Sequence, residues 1–210
     1  MKLALSIVTV AVLLSGCSRE KSIVDGGIYV TRTGCPQVAI PAATGDVTAF
    51  DPAGNITAAA IDVVATITNV RGTCTQDATY LVSTVTFDVV ATRRDRTAAR
   101  QVVLPFFSTA VQGGSAIVAK QVGAVALDFA AGSQRAATRG GATVRIARSA
   151  AALPADIQRE LTRPRKAGDA DAAIDPLADP KTREAVARAS FEHLIGFQLS
   201  QEQLRYNATR

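Results

Sequence analysis

From Tyr80 to Thr92 the side chains sort by parity: Leu81, Val85, Phe87, Val89 and Ala91 fall on one face, Tyr80, Thr84, Thr86, Asp88 and Thr92 on the other. Successive side chains of a pleated strand point to opposite faces, so this stretch reads as a strand with one buried side. The same chemistry extends from Gln37 to about Arg148, where Val, Ile, Thr and Ala dominate and Gly, Asp and Pro interrupt them. Asp51-Pro52-Ala53-Gly54-Asn55 and Gln112-Gly113-Gly114-Ser115 read as turns between strands. Short strands with no helical period between them predict a mainly β chain. The expected architecture is an antiparallel immunoglobulin- or fibronectin-III-like β-sandwich, not a βαβ sheet.

Departures from strict alternation carry information as well. Ile61, Val63, Ala65 and Ile67 share a face, but Val70 and Cys74 lie on the opposite parity, which a β-bulge between Ile67 and Val70 reconciles. A second slip is expected where Val118 and Val122 give way to Val125, Leu127 and Phe129. Pro105 cannot donate to a ladder, so its strand is expected at an edge or bulged. After Arg148 the pattern changes. Leu153, Ile157 and Leu161 suit a short amphipathic helix, residues 164–179 are turn-rich and charged and predict a mobile loop, and Asp179 caps a helix that begins at Pro180. Phe191, His193, Ile195, Phe197 and Leu199 alternate as a last strand, and a helical turn holding Leu204 and Tyr206 follows. The sandwich is therefore expected over residues 35–154, with a helical and flexible insert over 155–190 and its last strand and turn over 191–210.

The first sixteen residues hold one charge, Lys2, an uncharged apolar run, and the sequence Leu14-Ser15-Gly16-Cys17. That is a secretory signal peptide ending in a lipobox, with small side chains beside the scissile bond. The apolar run is about a dozen residues, short of the roughly twenty that cross a bilayer as a helix. Residues 1–16 are thus expected to be removed, and Cys17 to be lipidated at the head of a tether spanning 17–34. Each buried acyl CH₂ contributes about 0.8 kcal/mol, so the several chains of a lipobox cysteine make a stable anchor. Ser at position 18, in place of the Asp that retains lipoproteins in the inner membrane, points to the periplasmic face of the outer membrane.

Cleavage would remove one basic residue from a chain of net charge +5 and leave a mild +4. Nucleic-acid binding needs a concentrated basic footprint, and export removes the partner, so none is expected. Two local excesses remain: Arg93, Arg94, Arg96 and Arg100 around Asp95, and Arg135, Arg139, Arg145 and Arg148 without an acid among them. They read either as solvated loops and strand edges or as contacts for anionic lipid, lipopolysaccharide or cell wall. With Cys17 committed to lipid, Cys35 and Cys74 are the two remaining thiols of an exported chain and are expected to form one disulfide.

Catalytic chemistry finds little purchase. His193 is the single imidazole and alternates with Phe191 and Ile195, which reads as a half-buried strand residue and not as a general base. Asp169, Asp171, Asp175 and Asp179 fall in the turn-rich segment without the Gly and terminal Glu of a calcium loop. Gly113-Gly114 and Gly140-Gly141 do not open helices, so they are not phosphate cradles. Two cysteines and one histidine are too few for a zinc site. No catalytic residue, metal or cofactor is expected.

Several segments together resemble a family. They are Cys35-Pro36 with Val38, Thr48-Ala49-Phe50, Cys74, Leu104-Pro105-Phe106-Phe107, Ala119-Lys120 and Leu127-Asp128-Phe129. Above all they include Gly196-Phe197-Gln198-Leu199 with Glu202-Gln203-Leu204-Arg205-Tyr206-Asn207. These are similar to a group of uncharacterised Gram-negative bacterial lipoproteins with a C-terminal GFQL and EQLxYN motif, and the segment around 155–188 departs from that pattern. The resemblance brings no activity with it. The expected function is a non-catalytic outer-membrane lipoprotein, an envelope scaffold or interaction module with a protein partner. The alternative is a binder of cell-wall glycan or lipopolysaccharide through the Arg clusters, and an enzyme ranks third.

Overall fold

A computed structural model describes residues 34–164, 168, 170, 171 and 173–209. The chain divides into two units, residues 31–163 with 174–210, and residues 1–30 with 164–173. All elements named below belong to the former. In the latter, Gly168, Ala170, Asp171 and Ala173 are turn, with Gly168 at a φ of 103°. The signal peptide, Cys17 and nearly all of the expected tether lie outside the described residues, as does part of the loop expected to be mobile.

The chain is mainly β. Strands β1 (Gln37–Ala39), β2 (Asp46–Phe50), β3 (Ile61–Gln76), β4 (Tyr80–Arg93), β5 (Arg100–Gln112), β6 (Ala116–Phe129), β7 (Arg135–Ala147) and β8 (Phe191–Phe197) form two four-stranded sheets. Sheet 1 has the order β1-β8-β5-β6 and sheet 2 the order β2-β3-β4-β7. Pairing is antiparallel except between β1 and β8. Helix α1 (Ala155–Thr162) and helix α2 (Pro180–Ala189) stand between β7 and β8, and helix α3 (Gln201–Thr209) closes the chain. The inner faces of both sheets meet in one apolar cluster that includes Val63, Phe87, Leu127 and Ile195. The arrangement is consistent with a β-sandwich.

The register explains the irregular parities. Thr68 pairs with Asp88 and Arg71 with Thr86, so Asn69 and Val70 together oppose Phe87. Asn69 takes a φ of 50°, and the bulge falls between Ile67 and Val70 as expected. The second slip is a correction. Strand β6 stays in unbroken register with β5 from Ala119 to Phe129, so Val122 needs no slip; it faces outward while Val125, Leu127 and Phe129 face the core. The real irregularity is Val118, left over between Ala119 opposite Ala110 and Ile117 opposite Val111.

Pro105 also departs from expectation, because β5 is an interior strand of its sheet and carries no bulge there. Its partner β8 pairs only from Phe106 onward, and the Pro105 carbonyl accepts from the Gln198 amide at 2.9 Å. In an antiparallel ladder the N and O of one residue face the same neighbour, so the missing N–H faces Gln198 just past the end of β8, and only that terminal bond is forgone.

The Phe87 and Phe106 rings meet edge to face across the core, 5.1 Å apart. A Cβ on Gly123 would lie 2.6 Å from the Phe106 ring, so that strand glycine makes room for an aromatic side chain. At the C-terminus the expected turn is a nine-residue helix. Ser200 and Gln203 cap it reciprocally, the Ser200 amide donating to Gln203 Oε1 and the Gln203 amide to Ser200 Oγ. Tyr206 meets Phe50 edge-on, and Asn207 Nδ2 donates to the carbonyls of Ala43 and Asp46, which fastens α3 to β2.

Candidate functional site

Three polar side chains occupy core positions of three strands. Ser83 follows Leu81 on the inner face of β4, Ser108 follows Phe106 on β5, and His193 stands between Phe191 and Ile195 on β8. His193 is 0% exposed and both serines are 1% exposed. The half-buried strand residue expected at 193 is therefore fully buried. A polar group so placed must be hydrogen-bonded, and it is: Ser83 Oγ lies 3.0 Å from Nδ1 and Ser108 Oγ lies 2.8 Å from Nε2. Burial pushes the His193 pKa down to about 4 from its ordinary 6.5, so the ring is neutral at pH 7. A neutral imidazole has one N–H and one lone pair, so one serine accepts from the ring and the other donates to it. The ring bridges sheet 2, through Ser83, to a serine of its own sheet.

The Ser108–His193 distance is within reach for a nucleophile and its base. Chemistry of that kind also needs a path for substrate and a group that orients the base. Here the second ring nitrogen meets a hydroxyl and not a carboxylate, and both Ser108 and His193 are buried. What the cluster does is tie the two sheets together, with both ring nitrogens hydrogen-bonded.

Cys35 and Cys74 form a disulfide. Cys74 pairs with Ser83 across β3 and β4, and Cys35 lies two residues before the start of β1, so the covalent link joins the two sheets beside the polar cluster. A cleft of about 320 Å³ opens here, lined by both cysteines, Gln37, Thr73 and Ser83. It reaches the rim of the cluster at Ser83.

The structure separates the arginines expected to meet an anionic surface. Arg93 is 3% exposed; its guanidinium lies 5.0 Å over the Phe129 ring and donates to the carbonyls of Ser133, Ala98, Arg96 and Ala130, so it pins two loops from within. Arg94 and Arg96 are exposed on the loop that follows. Arg100 forms a two-pronged ion pair with Asp62, at 2.8 and 2.7 Å, and Arg139 pairs with Asp88 at 3.0 Å. Arg135 stands at an open depression of about 600 Å³ on the outside of sheet 2, with Val64, Val90 and Ala137.

Sequence reasoning singled out His193 but missed its serines. The signal was present: each serine takes a core-parity position in a strand that otherwise places apolar residues there. Among the described residues no three of His, Cys, Asp and Glu are grouped to hold a metal ion, and no helix is long and apolar enough to cross a membrane. No protein-family model, curated protein or solved structure matches the chain.

Proposed function

We propose that this chain is a non-catalytic lipoprotein anchored through Cys17 to the outer membrane, facing the periplasm and serving as an envelope scaffold or protein-interaction module. The observation that carries the reading is the outer surface of sheet 1, where Val103, Ile117, Val118 and Val122 are each at least half exposed. Exposed aliphatic side chains gathered on one part of a surface are the usual mark of a protein contact. The lipobox sequence supplies the address, and the Cys35–Cys74 bond suits an oxidising compartment. The finer fold assignment, an immunoglobulin- or fibronectin-III-like sandwich, rests on the two facing sheets; their four-plus-four strands exceed the four-plus-three of a constant-type immunoglobulin domain. Crosslinking in intact envelopes followed by affinity recovery tests the function. Defined protein partners joined at this surface are the expected result, and their absence across crosslinkers of several lengths overturns it.

A second reading, binding of lipopolysaccharide or cell-wall glycan, has one observation of its own. Arg135 lines an open depression whose other lining is mainly apolar, a combination suited to an acyl chain beside a phosphate. Sedimentation of the protein with purified wall or lipopolysaccharide, abolished by salt and by Arg135→Ala, would favour it.

A further inference from the structure

A sheet edge offers unpaired N–H and C=O groups to any extended chain, and proteins guard such edges by shortness, charge, proline, bulges or cover. Four edges exist in this pair of sheets, and three are guarded. The edge strand β1 has three residues. The β2 edge is held by α3, with Asn207 on the Ala43 and Asp46 carbonyls. The β7 edge carries exposed Arg135, Arg139 and Arg145 at alternating positions. The fourth, β6, is different. Its C-terminal half lies against β7, where Val125 comes close to Gly140, but its N-terminal half carries one charge in residues 116–122 and no proline. That charge, Lys120, lies 5.8 Å over the Phe107 ring, drawn to the outer face of the sheet. The bulge at Val118 limits straight pairing to residues 119–123 and turns an extra aliphatic outward, leaving Ile117 66%, Val118 50% and Val122 61% exposed.

We infer that this half-strand is a dimerisation edge and that its occupant is a second copy of the same chain, paired antiparallel about a two-fold axis at Gln121. The inference deepens the interaction-module reading by naming a partner, and rests on it. Five residues are an ordinary length for a paired strand. A two-fold axis at Gln121 sets Lys120 opposite Val122 of the other copy, so the one cation meets an aliphatic side chain and not its own like charge. Pairing makes sheet 1 continuous across both copies and sets the exposed aliphatic side chains of β6 beside those of the other copy. A five-residue edge flanked by exposed aliphatic side chains on each copy makes a contact at the small end of protein interfaces, that of a specific but reversible dimer. Confinement of two tethered copies to one membrane raises their effective concentration and favours the same pairing.

The register gives a charge test at an exposed position. Val122→Lys sets lysine against Lys120 of the other copy, whereas Val122→Glu sets a carboxylate against it. Sedimentation equilibrium of the full chain in detergent should show a monomer–dimer equilibrium that Val122→Lys weakens at least tenfold and Val122→Glu leaves equal or tighter. Unchanged urea midpoints, measured for each chain under conditions where it is monomeric, show that the fold is intact. A wild-type chain that stays monomeric at every concentration overturns the inference, and so does equal weakening by both variants. A photo-crosslinker at position 122 that joins a different envelope protein, with the purified chain monomeric, also overturns it while leaving the interaction-module reading in place.

Discussion

As pH falls from 6.5 toward 4, the unfolded chain takes up a proton at His193 that the folded chain, with its buried ring at about 4, does not. Stability associated with the neutral ring is full above pH 6.5 and is lost through that window, amounting to about 3 kcal/mol by pH 4. Urea unfolding at pH 7, 5.5 and 4 should show this loss beginning well above the ordinary carboxylate range. Asp77, Asp95 and Asp179 are all held below 3.8, by amide or hydroxyl hydrogen bonds first of all, so their share of the acid response comes at still lower pH. Ser108→Ala leaves Nε2 without a partner in a dry site and should cost about 1 to 3 kcal/mol, read as a shift of the urea midpoint at constant slope. A slope change instead would mean that the variant altered the folded or unfolded ensemble and not one bond. At this scale the sequence was legible only in part. Parity placed His193 on the inner face of its strand, but its partners come from positions 110 and 85 residues away, and no local pattern announces which buried hydroxyls will meet. Arg93 was misjudged for a similar reason: it reads as one of four clustered arginines, and only the closure of loops 94–99 and 130–134 around it makes it an interior residue.

Strands β3 and β4, the bulge between Ile67 and Val70, the Asp179 cap and the Gly113-Gly114 turn were all readable, because each depends on a few consecutive residues. The Asp179 carboxylate accepts from the Thr182 amide, and both glycines of the turn take positive φ, as those residue types imply. Pro105 and Val122 were misread because their setting depends on where a distant strand ends and which face a sheet leaves open. The cysteine pair lies between these cases, predicted from compartment and count and found linking the segment before β1 to β3. Cys35→Ser or Cys74→Ser should each destabilise the fold by about 2 to 4 kcal/mol, and the double variant no more than either single one, since all three lose the same bond. Denaturant melts of the three chains check this, and thiol labelling of the unfolded, unreduced protein should find neither cysteine free.

For the molecule as a whole, the proposed anchor and the folded body make separable contributions. Cys17→Ala should abolish membrane attachment and leave the urea midpoint of the body unchanged, with fractionation and unfolding measured on the same preparations. Position of the disulfide adds a mechanical property. Tension applied at the N-terminus reaches Cys35 before it reaches β1, whose three residues are the shortest strand in the fold. The load then divides, and the covalent branch carries it directly to Cys74 inside the sixteen-residue strand β3. The loop closed by the bond contains β1 and β2 and is shielded from the pull. In single-molecule extension the oxidised chain should therefore rupture by shearing β3 from its neighbours, whereas the reduced chain should peel β1, then β2 and β3, releasing in total about 140 Å of length that the bond hides, from a Cys35–Cys74 separation of 39 residues.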